Sequence, residues 1–298
     1  VYKRQLHYYV AGLKFAGSPY AFHTIGSTMA VSAVHYARVR GFPKRAAGED
    51  FYLLNKLAKV GSVIEISEDM GCEPIEIESR FSDRVPFGTG AAVGKISEMA
   101  DPVKDFRFYN PRVFELLRLW LHSWPEIWRS RSDQLTESIF AATDCEIDHD
   151  QKREVLLNGL RQLKTEKALE HAFRQSGNQE QFNRQMHTWF DAFRTLKLIH
   201  YLRDACLPSI TLSSLEASPV YRQIRPMINS VIPAKARHPG AGPSSRRRPG
   251  PPYDYRELIT DSYLASRMRY EIPACAGMTG VLRGLRRDDG CARRPAPG

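Results

Sequence analysis

The spacing of apolar residues after Asn110 constrains this chain more than any other feature. Val113, Leu116, Leu117, Trp120, Leu121 and Trp124 recur at intervals of three and four, which is one face of a helix. Asn110 is placed to cap that helix, with Pro111 at its first position. The spacing predicts a second helix over 151–175 and a third over 180–204. On the third, Phe182, Met186, Trp189, Phe190 and Phe193 share a face. Stripes of this kind read as helix-packing core rather than as a ligand groove. Residues 110–230 are therefore expected to form an α-helical region.

Residues 1–109 have a different texture, with short apolar runs, Gly/Pro turns and one clear helix. Residues 8–11 and 29–34 read as strands or buried segments, and 62–66 and 75–78 as short strands. Residues 49–60 read as a helix with Phe51, Leu54, Leu57 and Ala58 on one face, ended by Gly61. The expected fold class is thus α/β, a mixed sheet with helices, followed by a helical region.

Residues 231–298 form a third zone in which apolar periodicity is lost. Gly and Pro make up a quarter of it, and Arg supplies almost all of its positive charge. Such a segment buries too little to offset its ordering entropy, so disorder is expected. It also echoes itself, with VIPAKA at 231–236 and EIPACAGMTG at 271–280. The pattern resembles the translation of a dispersed bacterial DNA repeat. An ordinary basic linker that binds nucleic acid is the alternative.

The net charge of +10 matters for partners. Most of that surplus falls after Ser230, and the chain before Val231 is close to balanced. The basicity therefore belongs mainly to the tail, and no specific nucleic-acid partner is expected. Cys72, Cys145, Cys206, Cys275 and Cys291 form no CxxC pair, which argues against a zinc site or a disulfide framework. His122, His171, His187 and His200 lie in predicted helices without HExxH spacing, so no metal is assigned to them. With no run of about 18 apolar residues, no transmembrane helix is predicted.

The stretch from Ser18 to Gly61 carries the chemistry. Gly26-Ser27-Thr28 is a small-residue turn that lets a sugar or phosphate approach the backbone. Gly41-Phe42-Pro43 ends the next element, and Gly48-Glu49-Asp50 opens a helix. Asp50 falls in the first helical turn, where the macrodipole favours an ionised carboxylate. Such a carboxylate suits a general base, although acidic residues also occupy first turns for stability alone. His23 precedes the Gly26 turn as an acceptor contact or as a hydrogen-bonded structural residue. Asp148-His149-Asp150 spells DxD, a cation-binding pattern. It sits at a helix entry, where capping is the better account.

Taken in order, small-residue turn, apolar segment, short helix, Gly-Phe, basic loop and Glu-Asp helix, the stretch resembles the second half of the catalytic domain in family 2 glycosyltransferases of the GT-A fold. The resemblance covers roughly residues 9–93. It implies Asp50 as the catalytic base, with Glu49 beside it in the acceptor site. It implies Gly26, Ser27 and Thr28 as part of the floor under the donor sugar. Residues 78–90 resemble the Arg- and Gly-containing loop that follows in the family. Arg80 or Arg84 would there contact a diphosphate, or pair with Glu78 and Asp83 instead.

The family places a nucleotide-binding βαβ half and a DxD motif upstream of the Glu-Asp helix. The stretch before Glu49 is too short to hold that half. The processive QxxRW signature is absent. The resemblance thus implies the acceptor-side, C-terminal part of an inverting enzyme, inactive alone. It implies a nucleotide sugar and a hydroxyl acceptor as partners. It also implies a divalent cation, Mg or Mn, in the complete parent, with none convincingly bound by this chain. A cytoplasmic location goes with it, with peripheral contact at the inner membrane face allowed. The competing expectations are a non-catalytic helical interaction protein and a nucleic-acid binder acting through the basic tail.

Overall fold

Residues 8–11, expected as a strand or buried segment, are buried, but in helix α1 (Tyr2–Phe15) and not in a strand. Leu6, Tyr9, Val10 and Leu13 are buried along one side, and Tyr8, Ala11 and Phe15 along the other. A helix that is apolar on both sides loses its 3.6-residue signature, and its densest run then imitates a strand. In the computed structural model the described residues are 2–24, 29–45, 48–65, 75–76, 96, 98–131, 150–229 and 268–269.

The mixed α/β sheet expected for this chain, and with it the partial GT-A arrangement, is not what these residues form. They are 67% helical. Their only ladder is a two-residue parallel pair, β1 (Ile75–Glu76) with β2 (Met268–Arg269). One antiparallel bridge joins Phe108 and Ile210 through two 2.8 Å hydrogen bonds. Residues 29–34, expected as a strand or buried segment, run irregularly into helix α2 (Ala33–Arg38), and Val34 is exposed. Residues 62–65 are irregular as well. Their apolar runs are too short to dictate strands without neighbouring strands to pair with. Of the tail after Ser230, for which disorder was expected, all but Met268 and Arg269 lies outside the described residues.

Helix α3 (Glu49–Leu57) forms where expected, and buries Phe51, Leu54 and Leu57. Its end comes as a turn over residues 58–60, closed by the Gly61 N–H donating to the Leu57 carbonyl at 2.9 Å. After the single-turn α4 (Pro102–Asp105), the helical region opens as the sequence predicts. The Asn110 side chain accepts from the Arg112 N–H at 3.1 Å. Helix α5 (Arg112–His122) then buries Val113, Leu116, Leu117, Trp120 and Leu121. Trp124 follows, buried at the start of α6 (Trp124–Ser130).

The two long helices predicted downstream are each broken. Residues 151–175 form α7 (Asp150–Gln162) and α8 (Thr165–Gln175), hinged at Lys164 in the left-handed region, with φ 62°. The Thr165 hydroxyl donates back to the Leu160 carbonyl at 2.6 Å and seals the corner. Residues 180–204 form α9 (Gln179–Trp189) and α10 (Ala192–Ala205). Asp191 caps α10 by accepting from the Arg194 N–H at 3.1 Å. Helices α11 (Leu212–Ala217) and α12 (Pro219–Asn229) complete the helical region.

Helix α12 lies along α1, and α5 packs against α1 and α10. Trp120, Trp124, Phe114, Phe182 and Phe190 fill the main core, joined by edge-to-face ring contacts such as Trp120 on Phe190 at 5.9 Å. A buried polar line crosses this core. The Tyr8 hydroxyl donates to the Tyr109 carbonyl at 3.0 Å, and the Tyr109 hydroxyl lies 2.8 Å from His200 Nε2. Burial, aided by Arg203 and opposed by Asp204, lowers His200 to about 4, so its ring is neutral at physiological pH. A second cluster of Tyr20, Phe22, Val39, Phe51, Leu53, Leu54, Leu57 and Ala192 surrounds α3.

Gly12 sets how closely α1 and α5 approach. A Cβ there would meet three ring atoms of Phe114 at 2.6 Å, and that ring is fully buried. Gly12→Ala is expected to destabilise the fold by about 1–3 kcal/mol through overpacking, despite alanine's better helix propensity. Thermal denaturation followed by circular dichroism checks this.

Candidate functional site

Gly48 takes the left-handed conformation (φ 68°) immediately before α3, so the helix begins abruptly at Glu49 and Asp50. Asp50 is half-buried in the first turn, and its Oδ1 accepts from the Phe51 N–H at 2.7 Å. Glu49 beside it is exposed. Donors at a helix start suit a carboxylate at this position.

The far half of α3 is clamped to the helical region through Asp191. Asn55 Nδ2 donates to Asp191 Oδ2 at 3.0 Å, and Asn55 Oδ1 accepts from the Ala192 N–H at 3.0 Å. Lys59 Nζ reaches the same Asp191 oxygen at 2.5 Å. Asp191 and Asn55 are both buried, and both oxygens of the Asp191 carboxylate are engaged. The Tyr20 hydroxyl donates to the His187 carbonyl at 2.7 Å and ties the preceding segment to α9. Burial, with the Asp191 charge adding to it, pushes the Tyr20 phenol well above its ordinary range.

His23 lies on the segment before the Gly26 turn. Its backbone N–H donates to Glu65 Oε1 at 2.8 Å, and its Nδ1 lies 2.6 Å from the same oxygen. Lys14 Nζ stands 3.6 Å from the other Glu65 oxygen. Burial would raise the Glu65 carboxyl. The His23 hydrogen bonds and charge, with Lys14, outweigh that and lower it to about 2. The His7 ring meets His23 edge-on at 5.1 Å.

One small cavity lies between these segments. Phe22 and Thr24, the neighbours of His23, line it together with Phe51, the neighbour of Asp50, and with α1 and Thr195. Its volume is about 20 Å³, which suits a single water and not a sugar ring. The structure therefore brings the His23 and Asp50 segments to the border of one cavity. Gly26, Ser27, Thr28, Arg80 and Arg84 lie outside the described residues, as do Asp148 and His149 of the DxD triplet. Asp150 itself begins α7. Among the described residues no group of three His, Cys, Asp or Glu side chains is placed to hold a metal ion. None of the described helices is long and apolar enough to cross a membrane.

Sequence reasoning missed Asp191, Asn55, Lys59 and Glu65. Asp191 had a usable signal, an Asp directly before an Ala-Phe-Arg helix start. Glu65 had none, because its partner is 42 positions away. Comparison with family models, curated proteins and solved structures returned no match.

Two outcomes are expected from this geometry. Asp191→Ala leaves Asn55 and Lys59 without their acceptor and uncaps α10. It is expected to cost about 2–4 kcal/mol, read as a lower denaturant midpoint. Glu65 has a depressed pKa in the folded state, so its contribution is complete above about 4.5 and is lost as the pH falls toward about 2. Glu65→Gln is expected to flatten the stability-against-pH curve in that window, read from denaturant midpoints between about pH 2 and 4.5.

Proposed function

We propose that this chain supplies the acceptor side of a family 2 glycosyltransferase, with Asp50 as the base. The observation that carries the reading is the mounting of Asp50. It sits in the first turn of a helix whose other end is held to the helical region by Asn55, Lys59 and Asp191. A base must be held within hydrogen-bond reach of the proton it removes, and a clamped helix provides that rigidity. The residue order around Glu49-Asp50 and the Gly26 turn supports the same reading.

In this reading the acceptor hydroxyl oxygen attacks the anomeric carbon of a nucleotide sugar from the face opposite the diphosphate. The bond from the anomeric carbon to the diphosphate oxygen breaks, the configuration inverts, and the hydroxyl proton passes to Asp50. His23 and Glu49 border the acceptor, with His23 oriented by Glu65. A divalent cation, Mg or Mn, would neutralise the departing diphosphate. The described residues offer it no ligand set, so donor and cation binding are assigned to residues outside them or to another polypeptide. A cytoplasmic location goes with this reading.

Two assays test it. The chain alone, given UDP- or GDP-sugars with Mg²⁺ or Mn²⁺, is expected to release no nucleoside diphosphate. Asp50-dependent release would mean that it holds its own donor site. In an active assembly that contains these residues, Asp50→Asn is expected to lower transfer by about 10²–10⁴-fold with unchanged circular dichroism. Transfer at the wild-type rate in that variant would remove Asp50 from the mechanism.

A further inference from the structure

Threonines on two successive helices use their hydroxyls differently. On α9 the Thr188 hydroxyl donates to the Arg184 carbonyl at 2.8 Å, the usual return of a helical threonine to its preceding turn. On α10 Thr195 does not do this. It is 1% exposed, and its Oγ1 has no hydrogen-bond partner among the described residues. The carbonyl one turn back belongs to Asp191 and accepts from the Thr195 backbone N–H at 2.9 Å. A carbonyl can take a second donor, so the Thr195 hydroxyl is turned away from an available acceptor.

Thr195 lines the small cavity at the border of the His23 and Asp50 segments, with Leu196 of the same helix, Val10 of α1 and Phe51 of α3. Thr24, which is half-buried, brings a second hydroxyl to the same lining. A volume of about 20 Å³ holds one water molecule. Cavities that stay empty are lined by apolar groups, and this one is not. Leaving a buried hydroxyl unpaired costs more than immobilising one water molecule beside it.

We propose that this cavity is a binding site for one ordered water molecule, which accepts from the Thr195 hydroxyl and donates to the Thr24 hydroxyl. The water joins α10 to the segment that carries His23. It adds a polar tie between that segment and the helical region, one turn along α10 from the Asp191 clamp and apart from the bond of Tyr20 to His187. The tie does not depend on Asp50 acting as a base or on the proposed transfer.

The test uses the full chain with isotopically labelled methyl groups. Cross-relaxation peaks between water and the methyls of Val10 and Leu196 are expected, since neither side chain carries an exchangeable proton. Thr195→Val keeps the shape of the side chain and removes the hydroxyl, and the peaks are expected to disappear with it. The sign of the accompanying stability change separates a wet cavity from a dry one. With water bound, Thr195→Val takes away one of its partners and lowers the urea midpoint, by about 0.3 M. In a dry cavity the same substitution removes an unpaired hydroxyl and raises the midpoint. Peaks in the unsubstituted chain together with a lowered midpoint in the variant support the proposal. Absence of those peaks, or a midpoint that Thr195→Val leaves unchanged or raises, would overturn it.

Discussion

The buried carboxylate of Asp191 is the interaction on which the arrangement depends. It caps α10, accepts from Asn55 and Lys59 of the α3 segment, and adds its charge to the burial that keeps Tyr20 protonated. A buried charge is tolerated when its oxygens are fully hydrogen-bonded. Here the partners come from two distant parts of the chain, Asn55 lying 136 positions from Asp191. The requirement to satisfy one carboxylate therefore joins the α3 unit to the helical region. Without it, the small cluster around Phe51 and Leu54 would still meet the helical region through Ala192, Phe193 and the Tyr20–His187 hydrogen bond, but with no buried charge tied to α3.

That junction gives the proposed function its physical basis. A carboxylate in a first helical turn is ordinary. One whose helix is held at its other end by a satisfied buried network is held in place relative to the His23 segment as well. The pair formed by His23 and Glu65 fixes the other side of the same region. The cavity between them is too small for substrate, so in the proposed reading the acceptor does not occupy it.

Helix α2 shows how one short element serves two environments. His35 and Val39 secure it to α3, while Val34, Tyr36 and Phe42 remain outside the core. The left-handed Arg40–Gly41 turn is the local device that keeps Phe42 beside Tyr36.

Local patterning by itself determined α3, α5, the Asn110 cap and the burial of Phe182, Met186 and Phe190. In each helix one face is apolar and the other polar, and that contrast survives in sequence. Tertiary structure decided what local pattern could not. Helix α1 is apolar on two sides, so its period stays hidden until α5 and α12 pack against it. The corners at Lys164 and Asp191 follow from the need to return each helix to the same core. Of the strands expected before Asn110, only Ile75–Glu76 is paired, in a two-residue ladder with Met268–Arg269, because strand formation depends on partners that a short apolar run does not specify. The clamp between Asp191 and Asn55 was invisible for the same reason: its hydrogen bonds exist only once distant segments meet.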